Sequence, residues 1–392
     1  MIVDLVAGTR PEVVKLAPVY AALRAIAGVT PRWIATGQHG FLADQALDVF
    51  GIEPDVRIAL DWDRSSLPSL TAKLMENLGT HFRDSPPDYV LVQGDTATAF
   101  AGAQAAFLSR IAVGHVEAGL RSADISSPFP EEGFRQLIAR IAKDHFAPTA
   151  GAARNLYREG VDAGQVRVTG NTVVDAVKQI AALTQAPEIL SQVQAGMRVV
   201  LVTVHRRENW DAGAERICRA ILRLRDAYTD VHFIVATHTN PRVLGPVKQA
   251  LEGQERVTLS DPLAYPDFIG VLQRAYMVLS DSGGVQEEAP SFGVPVLVLR
   301  ETTERMEAVQ ARVAKLVGSN TDRIVREASR LLAVPRIRAR MAVGRNPFGD
   351  GLAGQRIAKI VAGHAKPVSR SAPPRKEADK QQGRVLTSVK VA

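Results

Sequence analysis

Four side chains in this sequence have the chemistry and the placement of acid–base groups. Asp95 and Glu117 each follow an apolar run, Glu131 precedes a helical stretch, and His205 follows Arg198-Val199-Val200-Leu201-Val202-Thr203. Carboxylates and imidazole are the groups that most often move protons in a transition state. A second set suits an anion. Arg10 and Lys15 stand at the start of a helical stretch, where two cations and a helix N-terminus together would clamp a phosphate. A capped helix with surface cations is the plainer reading. The third set is Ser280-Asp281-Ser282-Gly283-Gly284-Val285-Gln286-Glu287-Glu288-Ala289-Pro290, which follows the apolar run 275–279. It turns through Ser282, Gly283 and Gly284 into a helix, and two residues without Cβ let an anion approach the backbone. Glu287 or Glu288, expected in the first turn of that helix, suits ribose hydroxyls better than phosphate. Together these features point to a nucleoside diphosphate at the carboxyl end of a strand. An ordinary strand–turn–helix with a Gly-rich connector would read the same way.

The elements that must position these groups alternate along the chain, which predicts an α/β fold with parallel sheets. Strands are expected at 2–6, 30–35, 88–92 and 110–113, with helices at 13–26, 67–83 and 134–143. Two short strands around a helix fill 144–168. A second series has strands at 198–203, 231–235, 256–259, 275–279 and 294–298. Its helices fall at 212–227, 241–251, 265–274 and 284–292. One αβ unit thus recurs in two halves, predicting two Rossmann-like doubly wound parallel-sheet domains that face each other across a cleft. Residues 1–170 are expected to form the first and 171–350 the second. The helix 172–183 and a looser stretch around Pro187 would make the hinge. Residues 351–365 are expected as a C-terminal helix packing back across that hinge, and 366–392 as a basic, disordered tail.

Ligands bind beyond the carboxyl ends of strands in such sheets. Asp95, Glu117 and Glu131 are therefore expected in loops at one edge, with His205 opposite them. A solitary loop carboxylate is ordinarily a cap or a solvated charge. Three at one edge, beside Arg10 and Lys15, point to a site. His205 could contact phosphate, donate a proton or cap a loop. His238 and Asn240 are weaker candidates at the same edge.

Composition bounds the function. The chain has 392 residues, 46% hydrophobic and 23% charged, as in soluble globular proteins. No apolar run is long enough to cross a bilayer, so no membrane is expected. The opening Met1-Ile2-Val3-Asp4 reads as a strand and not as a signal peptide. Cys218 is the only cysteine, which excludes an internal disulfide and a Cys-based zinc site and fits a reducing cytoplasm. The net charge of +7 suggests nucleic acid, but residues 366–392 hold seven Lys/Arg against two acids and carry +5 of it. A solvated tail accounts for this, and no nucleic-acid partner is expected. Gly349-Asp350-Gly351-Leu352-Ala353-Gly354 matches the dinucleotide fingerprint in letters. It follows no strand and lacks a βαβ unit, so no nicotinamide cofactor is expected.

Taken together, the motifs resemble the UDP-N-acetylglucosamine 2-epimerase family. The matching segments include Gly8-Thr9-Arg10-Pro11-Glu12, Gln93-Gly94-Asp95-Thr96, Gly114-His115-Val116-Glu117-Ala118-Gly119-Leu120-Arg121-Ser122, Pro128-Phe129-Pro130-Glu131-Glu132, Val168-Thr169-Gly170-Asn171, His205-Arg206-Arg207-Glu208-Asn209, the 281–290 stretch and Thr302-Thr303-Glu304-Arg305. They run in order to about residue 360. The resemblance implies a glycosyltransferase-B-like fold and elimination of UDP across C1–C2 to a 2-acetamidoglucal, followed by re-addition with C2 inverted. It implies no metal, a homodimer, and domain closure on ligand. It also assigns acid–base positions to Asp95, Glu117, Glu131 and His205. UDP-binding positions fall on Arg10, Lys15, Ser282, Gly283, Gly284, Glu288 and Arg305, with Phe268 near the uracil and Glu288 on the ribose.

The sequence departs from the family pattern at Gly133 and Phe134, where a small residue and Asn are usual, at Met306 for Pro, and at Arg312 for Gly. The segment Gln38-His39-Gly40-Phe41 replaces an Arg and a polar neighbour in the stretch that helps bind a regulatory UDP-sugar in the family's non-hydrolysing bacterial members. Activation by UDP-GlcNAc is therefore expected to be weak or absent. Three outcomes remain open at this level: a non-hydrolysing epimerase on UDP-GlcNAc or another UDP-2-acetamido sugar, a hydrolysing epimerase releasing ManNAc and UDP, or a glycosyltransferase of the same fold.

Overall fold

The computed structural model describes residues 1–38, 40–63, 66–122, 124–238, 240–342 and 346–364. His39, residue 365 and the basic tail 366–392 lie outside the described residues. Within them, thirteen strands form two sheets, and every pairing within the sheets is parallel. The first holds β1 (Ile2–Ala7), β2 (Thr30–Ala35), β3 (Val56–Arg57), β4 (Tyr89–Gln93), β5 (Ala112–Val116), β6 (Asp144–Ala147) and β7 (Val166–Val168), in the order β3-β2-β1-β4-β5-β6-β7. The second holds β8 (Arg198–Thr203), β9 (Val231–Ala236), β10 (Val257–Ser260), β11 (Ala275–Ser280), β12 (Val296–Val298) and β13 (Ala314–Leu316), in the order β10-β9-β8-β11-β12-β13. Helices cover both faces, so strands such as Tyr89–Gln93 are buried along their whole length and read as continuous apolar runs.

Strand order reverses between β1 and β4 in one sheet and between β8 and β11 in the other. The loops leaving these four strands carry Arg10, Asp95, His205 and Ser282–Gly284. Each reversal opens a crevice at the carboxyl ends of the strands, so both sheets aim their chemistry at the same kind of place.

Three elements differ from expectation in ways that matter for the site. β5 spans Ala112–Val116 and not 110–113, so Gly114 and His115 lie inside the strand. Gly114 is there because the Tyr89 ring fills the space of its missing Cβ, which would lie 2.7 Å from the Tyr89 hydroxyl. The helix expected at 134–143 runs Glu131–Ile141, so Glu131 and Glu132 occupy its first turn, where the dipole favours acids. The helix after β11 is short, Gly283–Glu288, and continues as 3₁₀ over Ala289–Phe292, so Glu287 and Glu288 close it and do not open it. Pro187 packs on helix Tyr265–Arg274, where a Cβ on Gly270 would come within 2.5 Å of its ring.

The chain returns to the first sheet at its end. Phe348 O accepts from Asn171 N at 2.6 Å, and Asp175 accepts from Gly354 N at 2.8 Å. Helix Ala353–Ala362 then lays Ile357, Ala358 and Val361 against helix Arg10–Arg24. His364 reaches Asp144 at 2.8 Å and stacks on Tyr89.

Candidate active site

Helix Arg10–Arg24 begins with a capping box, Thr9 accepting from Glu12 N while Glu12 accepts from Thr9 N at 2.7 Å. Glu12 also accepts from Gly8 N at 2.9 Å and from the Thr96 hydroxyl at 2.5 Å, which joins the loop after β1 to the loop after β4. Burial pushes Glu12 up to about 7 against those hydrogen bonds. The Asp95 turn is braced from beneath by buried His115, whose Nε2 lies 2.7 Å from Gly94 O. Burial pushes that imidazole down to about 3, so it is neutral and its Nε2–H donates to the carbonyl.

One cleft of about 630 Å³ runs between the two sheet edges. Asp95, Glu117, Glu131, His205, Arg10, Lys15, Phe268, Ser282, Gly283, Gly284, Glu288 and Arg305 all line it. The carboxylates stand in different electrostatic settings. Burial raises Asp95, Arg135 opposes this, Glu117 and Glu131 add to it, and Lys15 opposes it. Arg135 Nη2 lies 2.5 Å from Asp95 Oδ2. Glu117, in left-handed backbone at φ +65°, is held down against burial by Lys15 and Arg305. It accepts from Lys15 Nζ and from Asn171 Nδ2, the latter at 2.9 Å. Glu131 presents a buried Oε2 with no hydrogen-bond partner among the described residues.

Lys15 is not a surface cation. It is 9% exposed and reaches from Glu117 in the first domain to Glu287 of the second, at 3.4 Å. Burial would lower its affinity for a proton, but the two carboxylates outweigh it and raise it. Arg305 donates to Glu287 at 2.9 Å, and its guanidinium lies over Gly283, where a Cβ would sit 3.2 Å from Cζ. Glycine here admits the cation to the backbone of the turn. Burial opposes its charge, yet Glu287, Glu117 and Glu304 hold it firmly protonated. Arg10 lines the cleft with no hydrogen bond or ion pair among the described residues. Ser282 N donates to Ser280 Oγ at 2.9 Å.

On the second edge, Asp281 is fully buried and accepts from the backbone of His205 and Arg206 at 3.0–3.1 Å and from Asn209 Nδ2 at 3.0 Å. Its Oδ1 also lies 3.2 Å from His205 Nδ1. Burial lowers the imidazole's proton affinity, Asp281 opposes this, and Arg206, His238 and Arg300 add to it. Glu288 accepts from the Tyr265 hydroxyl at 3.3 Å, and burial, then Glu287, push it up to about 7. His238 lies near His205, ring centres 6.3 Å apart. Among the described residues no cluster of His, Cys, Asp and Glu has the makings of a metal site, and no helix is long and apolar enough to cross a membrane.

The site also uses residues the sequence reading left without a part: Arg135, Asn171, Tyr265 and Asp281. Arg135 was the most accessible, since it lies four positions after Glu131 and three after Glu132, on one helix face. Two of the departures have local accounts. Phe134 stacks on Phe100 at 4.6 Å, and Arg312 adopts φ +60°, where glycine is unstrained. Gln38 is engaged by Thr98, whose hydroxyl donates to it at 2.7 Å.

Comparison with known proteins agrees over almost the whole length. The family profile described as UDP-N-acetylglucosamine 2-epimerase matches residues 21–362. The UDP-N-acetylglucosamine 2-epimerase of Yersinia pestis is 41% identical over 365 residues, 91% of this chain and 97% of that one. That of Bacillus subtilis is 42% identical over 357 residues, 91% and 94%. The crystal structure of the Neisseria meningitidis UDP-GlcNAc 2-epimerase bound to UDP-GlcNAc superposes with a TM-score of 0.85 at 39% identity, covering 93% of this chain and all of that one. The two parallel-sheet domains, the cleft between their carboxyl edges and these likenesses agree, and the chain belongs to the UDP-N-acetylglucosamine 2-epimerase family.

Proposed function

We propose that this chain interconverts UDP-GlcNAc and UDP-ManNAc, supplying a sugar for cell-surface polysaccharide. The observation that carries this reading is the convergence of two unlike sets of groups on one cleft. Three carboxylates with Arg10 and Lys15 line one edge, and His205, a Gly-Gly turn and Arg305 line the other. C2 of a 2-acetamido sugar is not adjacent to a carbonyl, so its proton is too weakly acidic for simple removal. Expelling UDP from C1 as the C2 proton leaves gives a 2-acetamidoglucal. Adding UDP back to C1, with a proton delivered to the other face of C2, inverts that carbon. No electrons are gained or lost overall, so the route asks for no redox cofactor.

Asp95, Glu117, Glu131 and His205 divide the acid and base work. Arg10, Lys15, Arg305 and the Ser282-Gly283-Gly284 turn receive the diphosphate, and an incoming diphosphate would compete with Glu117 and Glu287 for Lys15 and Arg305. Glu288, neutral below about pH 7, can donate as well as accept at the ribose, and Phe268 lies against the uracil. Residues 1–170 and 171–350 act as the two closing bodies, bridged by the returning helix. The working form is a cytoplasmic homodimer, which sedimentation at micromolar concentration tests.

Proton NMR of the purified protein with UDP-GlcNAc in D₂O tests the activity. UDP-ManNAc carrying deuterium at C2 is the expected product. Free ManNAc with UDP would replace this reading by the hydrolysing one, and no change would point to another UDP-2-acetamido sugar or a transferase.

A further inference from the structure

The paired glutamates at the head of helix Glu131–Ile141 are neighbours in sequence and opposites in setting. Glu131 lines the cleft with an unpartnered oxygen. Glu132 is 0% exposed and fully engaged. It accepts from Ser122 N at 3.1 Å, from Gln136 Nε2 at 3.0 Å and from Arg135 Nη1 at 3.2 Å, and Arg121 Nε stands 3.9 Å away. Arg135 spans the gap. One arm of its guanidinium rests on Glu132, and Nη2 meets Asp95 at 2.5 Å. Its side chain is 11% exposed. We propose that Glu132 and Arg135 are the positioning pair of this site: Glu132 fixes the guanidinium, and the guanidinium fixes the Asp95 carboxylate toward the cleft.

The physical case rests on geometry and charge. A carboxylate on a β–α turn has two free torsions, and Asp95 follows Gly94, itself at φ +72°. Its backbone is braced through His115, but among the described residues its side chain pairs with one cation, Arg135. Around Asp95 also stand Glu117, Glu131 and Lys15. The two other carboxylates favour its protonated form, Lys15 opposes them, and Lys15 is committed to Glu117 and Glu287. Arg135 therefore sets both where Asp95 points and how readily it ionises. A planar fork with donors on separate arms can serve two carboxylates at once, which a lysine ammonium cannot do with the same geometry. Arg135 touches no reacting atom in this role and acts through Asp95. The inference rests on the proposed acid–base role of Asp95 for its effect on turnover, but its effect on Asp95 itself does not.

The experiment uses the full-length protein labelled with ¹³C at the aspartate carboxyl carbon. The Asp95 signal is identified by its loss in Asp95→Asn, and its titration is followed in wild type, Arg135→Gln, Arg135→Lys and Glu132→Gln. The expected result is a midpoint moved to higher pH in Arg135→Gln, partly restored in Arg135→Lys, and moved less in Glu132→Gln. Turnover should fall about 100-fold in Arg135→Gln, with UDP affinity by calorimetry within about threefold of wild type. The limb of the pH–rate profile that belongs to Asp95 should move in the same direction as its titration. Arg135→Gln should add nothing to the defect of Asp95→Asn. An unchanged Asp95 midpoint in a folded Arg135→Gln protein overturns the proposal, whatever the substrate. A shifted midpoint with normal turnover keeps the pair but removes Asp95 from the chemistry. A lowered melting temperature alone, with midpoint and profile unmoved, would make the pair merely structural.

Discussion

The two sheet edges that face the cleft are built from the same αβ unit and carry different side chains. The first presents three carboxylates in unlike company: Asp95 pairs with Arg135, Glu117 with Lys15, and Glu131 keeps an oxygen without a partner among the described residues. The second presents a Gly-Gly turn, Arg305 and an acid, Glu288, that burial keeps near neutrality at ordinary pH. Strand order and crevice are shared; what differs is which side chains the loops deliver. Fold therefore decides where a ligand sits, and loop chemistry decides which groups each edge brings to it.

The largest expected effect tests the first edge. Glu131→Gln should cut turnover about 1,000-fold and leave UDP affinity by calorimetry within about threefold. A collapse of affinity with turnover preserved at saturation would erase the distinction between the edges. Arg305→Gln tests the second edge. Loss of its charge-assisted hydrogen bonds should weaken UDP about 30-fold, and kcat measured at saturation should fall less than tenfold.

Glu288 sharpens the comparison through pH. Its folded value of about 7 lies above the ordinary 4.5, so the folded state holds its proton more tightly than the unfolded chain. Stability from this group is thus full below pH 4.5, falls as pH rises to about 7, and is level beyond, a loss on the order of 3 kcal/mol. In the unliganded protein, Glu288→Gln should melt close to wild type at pH 4.5 and several degrees above it at pH 8. Equal melting at both values would show that the carboxyl is not held neutral. The smallest effect concerns the rim, where Thr149 of the first domain donates to Glu307 of the second at 2.7 Å. Glu307→Ala should change UDP affinity about threefold or less, read by the same calorimetry.

Much of this was legible in the chain. The helices at 172–183, 212–227, 241–251 and 265–274 have the bounds their apolar periods and flanking turn residues predict. Asp95, Glu117 and His205 were legible because they follow strands, whereas Phe268 and Arg305 came only from the family resemblance. What escaped has physical causes. Gly114 and His115 look like a loop, and only the Tyr89 ring, distant in sequence, makes a strand of them. Helix Ala97–Leu108 is Ala-rich and buried on most sides, so it has no polar face to mark its period. Pro128-Phe129-Pro130 hid the start of the helix that carries Glu131, although acids after a proline are a helix-start signal. Arg135 and Asn171 act through carboxylates 40 and 54 residues away in the chain, a relation that no local pattern records.

The returning helix has a consequence for how the protein comes to be. Ile357, Ala358 and Val361 complete the packing of helix Arg10–Arg24, far earlier in the chain. That helix therefore keeps an apolar face uncovered until residues beyond 350 have been synthesised. Domains ordinarily fold as units as they emerge; here the first domain is completed only by residues that follow the second. That interval of exposed surface is when a nascent chain is most open to chaperones and most prone to wrong association.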